Sequence, residues 1–310
     1  MNQYLRKAFF WALVISLFAL LSWDMARQWD AVKSYAWRFE PFLFVISIAL
    51  VVVAYTVSAD AWRRVIRAMG PSLSLRQAFR ITFLANLGRY APGRIWQAVG
   101  VMTLAEREGV QKQQALSSFV ISQVFVMLSS ALVVALCFFA GADTLQLSAP
   151  EWVFVPLVTF ASICALSATL LVVRPNWLFA ALNFLLRRWG HSPVTLGFSI
   201  EGAFGLTFQY GLFWILHGLA FWFFLLAVAP ERAPEWYVAI GAFTLSHQLG
   251  YLAILAPGGV GVREFALAGA LRPMYAVLAS PIAILSRVWV MLAEAIAALI
   301  ALYIGRSSSR

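Results

Sequence analysis

In a chain of 310 residues, 62% hydrophobic and only 12% charged, there are too few polar side chains to cover a water-facing surface, since an ordinary soluble domain carries roughly 25% charged residues. The formal net charge of +10 would suggest nucleic acid in a soluble protein. Here Lys and Arg flank apolar runs and no basic patch is interleaved with exposed aromatics, so nucleic acid is excluded as a partner.

Arg6-Lys7 followed by Ala8–Ser22 has the charged-then-apolar order of a signal peptide. It has no small-x-small cleavage site followed by a soluble stretch, so it reads as an uncleaved first span over 8–23. Further full spans are predicted over 41–59, 114–140, 153–173, 205–229 and 281–304, since roughly 20 apolar residues at 1.5 Å each cross a ~30 Å hydrocarbon core. Trp11, Trp23, Trp62, Trp152 and Trp236 stand near span ends, where interfacial anchors belong. Cys137 and Cys164 lie in different apolar runs and read as small core residues. Two shorter apolar elements, 77–105 and 236–272, are broken near their middles at Ala91-Pro92-Gly93 and Ala256-Pro257-Gly258. Each is expected to enter and leave on one side. The predicted fold is therefore all-α, a polytopic membrane helical bundle of six full spans plus two re-entrant broken helices.

The N-terminus, 60–80, 106–112, 174–191 and the C-terminal tail carry fourteen Lys and Arg, and the opposite loops carry five. This asymmetry predicts cytoplasmic termini, in a multi-pass protein of a bacterial inner membrane. A shift of 165 residues lays the first Ala-Pro-Gly on the second, 41–59 on 206–224, and 114–140 on 279–305. The chain thus reads as one membrane domain, 1–310, made of two pseudo-repeats, 1–140 and 153–305. Three full spans per half would insert the second upside down, as an inverted repeat.

A broken helix leaves backbone N–H and C=O groups that lipid cannot satisfy, so such breaks are expected to line a protein-walled cavity. At the first break, Arg89 and Arg94 flank the turn in an otherwise uncharged stretch. An arginine at membrane depth costs on the order of 2.5–3.5 kcal/mol and is a functional candidate by default. The pair is a candidate clamp for an anionic headgroup; snorkelling or capping of half-helix carbonyls is the structural alternative. Asn86 and Gln97 are candidate hydrogen-bond partners or helix-packing amides. At the second break Gly258, Gly259 and Gly261 allow close backbone approach, while the lack of Gly-Lys-Ser/Thr excludes a nucleotide P-loop. Glu264, about two turns beyond the break, is read as pairing with an arginine of the other half or exchanging a proton, with an ion pair to Arg263 as the structural alternative. Arg287 and Glu294 lie seven apart, two turns distant on one face of the last span, and are expected to face inward in a fixed internal salt-bridge role or as substrate contacts. His217 and His247 inside spans read as packing residues before proton relays. No metal-ligand spacing and no Ser-His-Asp order is present, so no metal, no cofactor and no catalytic residue is predicted.

At these two breaks the chain resembles the flippase-like membrane domain of lysylphosphatidylglycerol synthases and its stand-alone relatives. Asn86, Tyr90, Pro92, Gly93 and Arg94 carry the resemblance at the first break, and Pro257-Gly258-Gly259-Val260-Gly261 with Glu264 at the second. The resemblance spans the chain in length and hydropathy. It implies a two-subdomain membrane fold with re-entrant helices and a role in moving or presenting anionic lipids, with Tyr90 among the site residues. Many relatives have Gly-Glu where this chain has Trp96-Gln97. The soluble aminoacyl-transfer domain of the full synthases would follow the last span, where only Arg306–Arg310 stand, so synthase activity is not expected. The expected function is a non-enzymatic transporter or flippase for an anionic lipid, either a phospholipid or a polyprenyl-phosphate-linked carrier, with bilayer lipids around it. A membrane enzyme acting on a lipid phosphate and a non-catalytic partner of an envelope glycosyltransferase are the alternatives.

Overall fold

Long uncharged runs leave backbone amides no partner in lipid but one another, and every described element is accordingly helical. The computed structural model of the chain describes residues 29–35, 37–90, 95–141, 200–253 and 259–307, with isolated helical positions outside these ranges. The expected spans at 8–23 and 153–173 lie almost wholly outside the described residues, as do 91–94, with Arg94, and 254–258, with Gly258.

Nine α-helices are described, the first a short α1 (Trp29–Ser34) in the predicted loop 24–40. The first full span is α2 (Pro41–Arg67), opened by proline at N1, where the missing N–H costs nothing. The first broken element is α3 (Leu75–Asn86) and α4 (Ile95–Arg107). Ser74 caps α3 reciprocally: the Gln77 N–H donates to Ser74 Oγ at 3.3 Å and the Ser74 N–H donates to Gln77 Oε1 at 2.8 Å. Next come α5 (Lys112–Ala140) and α6 (Ile200–Val228). The second broken element is α7 (Trp236–Leu252) and α8 (Val262–Tyr275). The last span is α9 (Ala279–Ser307), set off from α8 by a corner at Ala276, whose φ is +45°. Four of the six expected spans (α2, α5, α6 and α9) are thus described.

The start of α2 meets the end of α6 and the reverse: the Glu40 N–H donates to the Ala227 carbonyl at 2.9 Å, and Gln209 Nε2 donates to the Val57 carbonyl at 3.3 Å and to Asp60 Oδ2 at 2.8 Å. The two helices therefore run antiparallel. The 165-residue offset carries α2, α3, α4 and α5 onto 206–232, 240–251, 260–272 and 277–305, against the observed 200–228, 236–252, 262–275 and 279–307. The largest core cluster among the described residues contains an aromatic stack of Phe221, Phe224, Phe243 and Trp289 between α6, α7 and α9. Large apolar side chains also face outward, among them Phe42, Val45, Phe208 and Leu299, the reverse of a water-soluble surface. Trp62, expected as an interfacial anchor, is instead buried, its indole Nε1 donating to Ser118 Oγ at 3.1 Å. Small serines let α5 approach closely enough to cover it.

Both broken elements are hairpins whose arms pack on each other, and glycine is what lets them close. A Cβ on Gly88 would stand 2.7 Å from the Trp96 carbonyl carbon, and one on Gly259 (φ +68°) would stand 2.8 Å from Gly250 Cα. Both obstacles are backbone and cannot swing aside. Gly88→Ala should therefore lower thermal stability by about 1–3 kcal/mol, as overpacking does. Gly205→Ala, where an added Cβ meets nothing within 4 Å, is the control. A thermal melt of the purified protein in which both variants match the parent would contradict the close approach.

Candidate functional site

At the end of α3 the chain tightens into a 3-10 turn, Leu87–Tyr90, which turns Arg89 and Tyr90 toward the middle of α9. There Glu294, 4% exposed, accepts from three groups. Arg89 forms an ion pair with it. The Tyr55 hydroxyl donates to Oε1 at 2.7 Å and the Tyr90 hydroxyl to Oε2 at 2.5 Å. Arg89 Nη2 also donates to the Tyr55 hydroxyl at 3.3 Å, and its guanidinium lies 5.5 Å from the Tyr90 ring centre. A buried carboxylate is tolerated when its lone pairs are satisfied in this way. The two arms of the hairpin are clasped by Gln97 Nε2 donating to Asn86 Oδ1 at 2.6 Å.

The second hairpin is tied to the same helix with the charges exchanged. Gly261, at φ +87°, is the N-cap of α8. Its N–H donates to Glu264 Oε2 at 2.7 Å, while Arg287 Nη1 donates to Oε1 at 2.6 Å. The Glu264 side chain is 1% exposed. Two expectations are corrected here. Glu264 lies in the first turn of α8, because the helix begins right after Gly261. Its partner is Arg287 of the same half, neither an arginine of the first half nor Arg263. Arg287 and Glu294 both stand in internal salt bridges: they share a face of α9, and each reaches a different hairpin.

Between the hairpins lies a cavity of about 320 Å³ with both in its wall: Asn86, Arg89, Tyr90 and Gln97 from the first, Gly250, Tyr251 and Arg263 from the second, and Arg287 from α9. Its charged lining among the described residues is three guanidiniums, Arg89, Arg263 and Arg287, with no carboxylate. Glu264 and Glu294 stand behind the arginines they pair with. Arg263 differs from the other two. It is 7% exposed, packs its guanidinium 5.5 Å from the Phe243 ring centre, and leaves Nε and Nη2 with no hydrogen-bond partner among the described residues.

Two histidines complete this end of the cavity, their ring centres 5.5 Å apart. His247 Nδ1 lies 3.0 Å from the Phe243 carbonyl, which can only accept, so Nδ1 carries the hydrogen. His217 is 2% exposed, boxed by Tyr55, Phe213 and Phe243, and neither of its ring nitrogens has a hydrogen-bond partner among the described residues. His217 and Arg263 both line the cavity, and their unpartnered nitrogens are buried in its wall, an arrangement that costs free energy as long as no partner is supplied.

The structure thus gathers Asn86, Arg89, Tyr90 and Gln97 with Arg287 at the cavity wall. Glu264 and Glu294 are close by as supports of its arginines, and Gly259 and Gly261 shape the second turn. Sequence reasoning passed over Tyr55 and undervalued Arg263. Tyr55 gave no signal, being one hydroxyl in an apolar run. Arg263 did give one, as an arginine beside a membrane break, but the adjacent Glu264 suggested that the two would neutralise each other.

Residues 9–301 match the family described as the lysylphosphatidylglycerol synthase TM region. No curated protein matches the chain.

Proposed function

We propose that this chain, which belongs to the lysylphosphatidylglycerol synthase TM-region family, is a membrane transporter that holds the phosphate of an anionic lipid between its two broken helices and passes the headgroup across the bilayer. The observation that carries the reading is the cavity wall, where three arginines converge and the described lining offers no acid. Guanidinium groups offer phosphate a forked, charge-assisted set of donors. Low dielectric strengthens that attraction beyond its value in water. The chemistry asked of the protein is binding and release, with no covalent step. On this reading the protein sits in the inner membrane, with the lipid as its partner.

The test is headgroup translocation in vesicles. Arg263→Ala should slow transport by about tenfold or more, the effect of losing one charge-assisted contact of roughly 1.5–3 kcal/mol. Arg263→Lys should restore part of the rate. Equal rates in parent and both variants would overturn the site. No translocation by the parent, together with co-purification of a glycosyltransferase, would favour a scaffolding role instead.

A further inference from the structure

The two ties of α9 differ in what remains on the carboxylate if its arginine leaves. Glu294 accepts one neutral donor on each oxygen besides Arg89, the Tyr55 hydroxyl on Oε1 and the Tyr90 hydroxyl on Oε2. Those hydroxyls come from separate elements, Tyr55 from the middle of α2 and Tyr90 from the 3-10 turn of the first hairpin. Glu264 is furnished differently. Its Oε2 keeps the Gly261 N–H, while Arg287 is the one donor described on Oε1. The arginines differ in the same sense. The Arg89 side chain is 23% exposed against 15% for Arg287, and Arg89 Nη2 also donates to the Tyr55 hydroxyl. Tyr55 therefore touches both members of the first pair. Hydrogen bonds to the charged form are what hold a buried carboxylate once its cation is drawn off. Glu294 has that support on both oxygens and Glu264 on one.

We infer that Arg89 is the exchangeable cation of the site: it turns from Glu294 to a phosphate in the cavity, while Tyr55 and Tyr90 hold Glu294 where it stands. The inference rests on the anionic-lipid reading above and adds to it two positioning residues. Arg89 already lines the cavity, so the exchange asks for side-chain rotation alone. No covalent bond forms and no proton moves. Tyr90 keeps the first hairpin fastened to α9 throughout, because its hydroxyl stays on Oε2. Arg287 remains on Glu264, whose Oε1 would otherwise keep no described donor in surroundings of low dielectric. Of these two paired arginines, one is thus lent to the ligand and the other is fixed. Arginine suits the first part, since its forked N–H donors can pass from one oxyanion to another without loss of charge.

The test is phosphatidylglycerol binding by the purified full chain, titrated by native mass spectrometry, with a thermal melt of each lipid-free protein alongside. Tyr55→Phe and Tyr90→Phe keep the rings and remove one hydroxyl each. Each should weaken lipid binding about five- to tenfold, because a hydrogen bond to an unpaired carboxylate is worth more than one to a paired carboxylate. Tyr275→Phe is the control, a buried tyrosine outside the cavity wall whose hydroxyl has no hydrogen-bond partner among the described residues. It should bind as the parent does. In Glu294→Gln no charge is left to hold, so adding Tyr55→Phe there should change binding by less than about twofold. A loosened fold would instead weaken binding in both backgrounds. Parent affinity in both tyrosine variants overturns the exchange, even where their melts fall, and leaves the anionic site standing. Equal losses in the two backgrounds overturn it as well. If Glu294→Gln does not fold, the two tyrosine variants and the control decide alone. sn-Glycerol 3-phosphate distinguishes a lipid from a soluble phosphate, and its uptake in place of phosphatidylglycerol overturns the lipid reading. A parent that binds neither probe overturns the transport reading and the exchange together.

Discussion

Glu294→Gln is expected to destabilise the protein by about 3–5 kcal/mol, the cost of removing one partner from a buried ion pair. The substitution keeps the shape and one carbonyl acceptor, so either Tyr55 or Tyr90 can still donate to it. What it removes is the charge, leaving Arg89 as a cation in a wall that already holds Arg263 and Arg287. The uncompensated charge dominates, because the net value of a neutral hydrogen bond is only about 1 kcal/mol. The effect should be visible as a fall in Tm on the order of 10 °C. A second substitution separates the pair from its parts. Arg89→Met in the Glu294→Gln background removes the orphaned charge and should recover more than half of the loss, since a buried pair replaced by neutral groups is often nearly neutral in stability. Full stability in Glu294→Gln alone, or no recovery in the double variant, would mean that the Arg89–Glu294 contact does not hold the first hairpin.

How much of this was legible in the sequence depends on the physical reach of each signal. Hydrophobicity over 41–59, 114–140, 205–229 and 281–304 gave α2, α5, α6 and α9, because a spanning helix is a local consequence of composition. Pro92 and Pro257 gave the positions of the two hairpins for the same reason. Pairing was not legible, since it depends on rotation about helix axes. Arg287 and Glu294 share a face of α9, and that periodicity was readable, but nothing local says that the face meets two different hairpins. Trp62 looked interfacial because it stands just beyond the predicted span 41–59, yet the helix turns it inward onto Ser118. A subtraction would have found Arg263. Of 23 Lys and Arg, nineteen fall in the predicted loops and termini; the four left over are Arg89, Arg94, Arg263 and Arg287. Three of these line the cavity and the fourth lies outside the described residues.

Glu264 combines two roles that substitutions can separate. Its Oε2 accepts the Gly261 N–H and so closes the start of α8, while Oε1 holds Arg287. Glu264→Gln can still accept from Gly261 through its amide oxygen but leaves Arg287 unpaired. Glu264→Ala loses both contacts. The glutamine variant should therefore lose about 3–5 kcal/mol, as a broken buried pair does, and the alanine variant about 1 kcal/mol more, the worth of a helix-capping contact. Arg287→Met combined with Glu264→Gln should restore most of the stability, because the cap survives and the unpaired charge is gone. The same double variant should still transport poorly, since Arg287 also lines the cavity. Stability and transport measured on these three proteins thus answer separate questions. Recovery of the melt without recovery of headgroup movement is the outcome expected if Arg287 serves the lipid as well as the fold. Recovery of both would reduce Arg287 to a strut between α9 and the second hairpin, leaving Arg89 and Arg263 as the described cationic wall of the site.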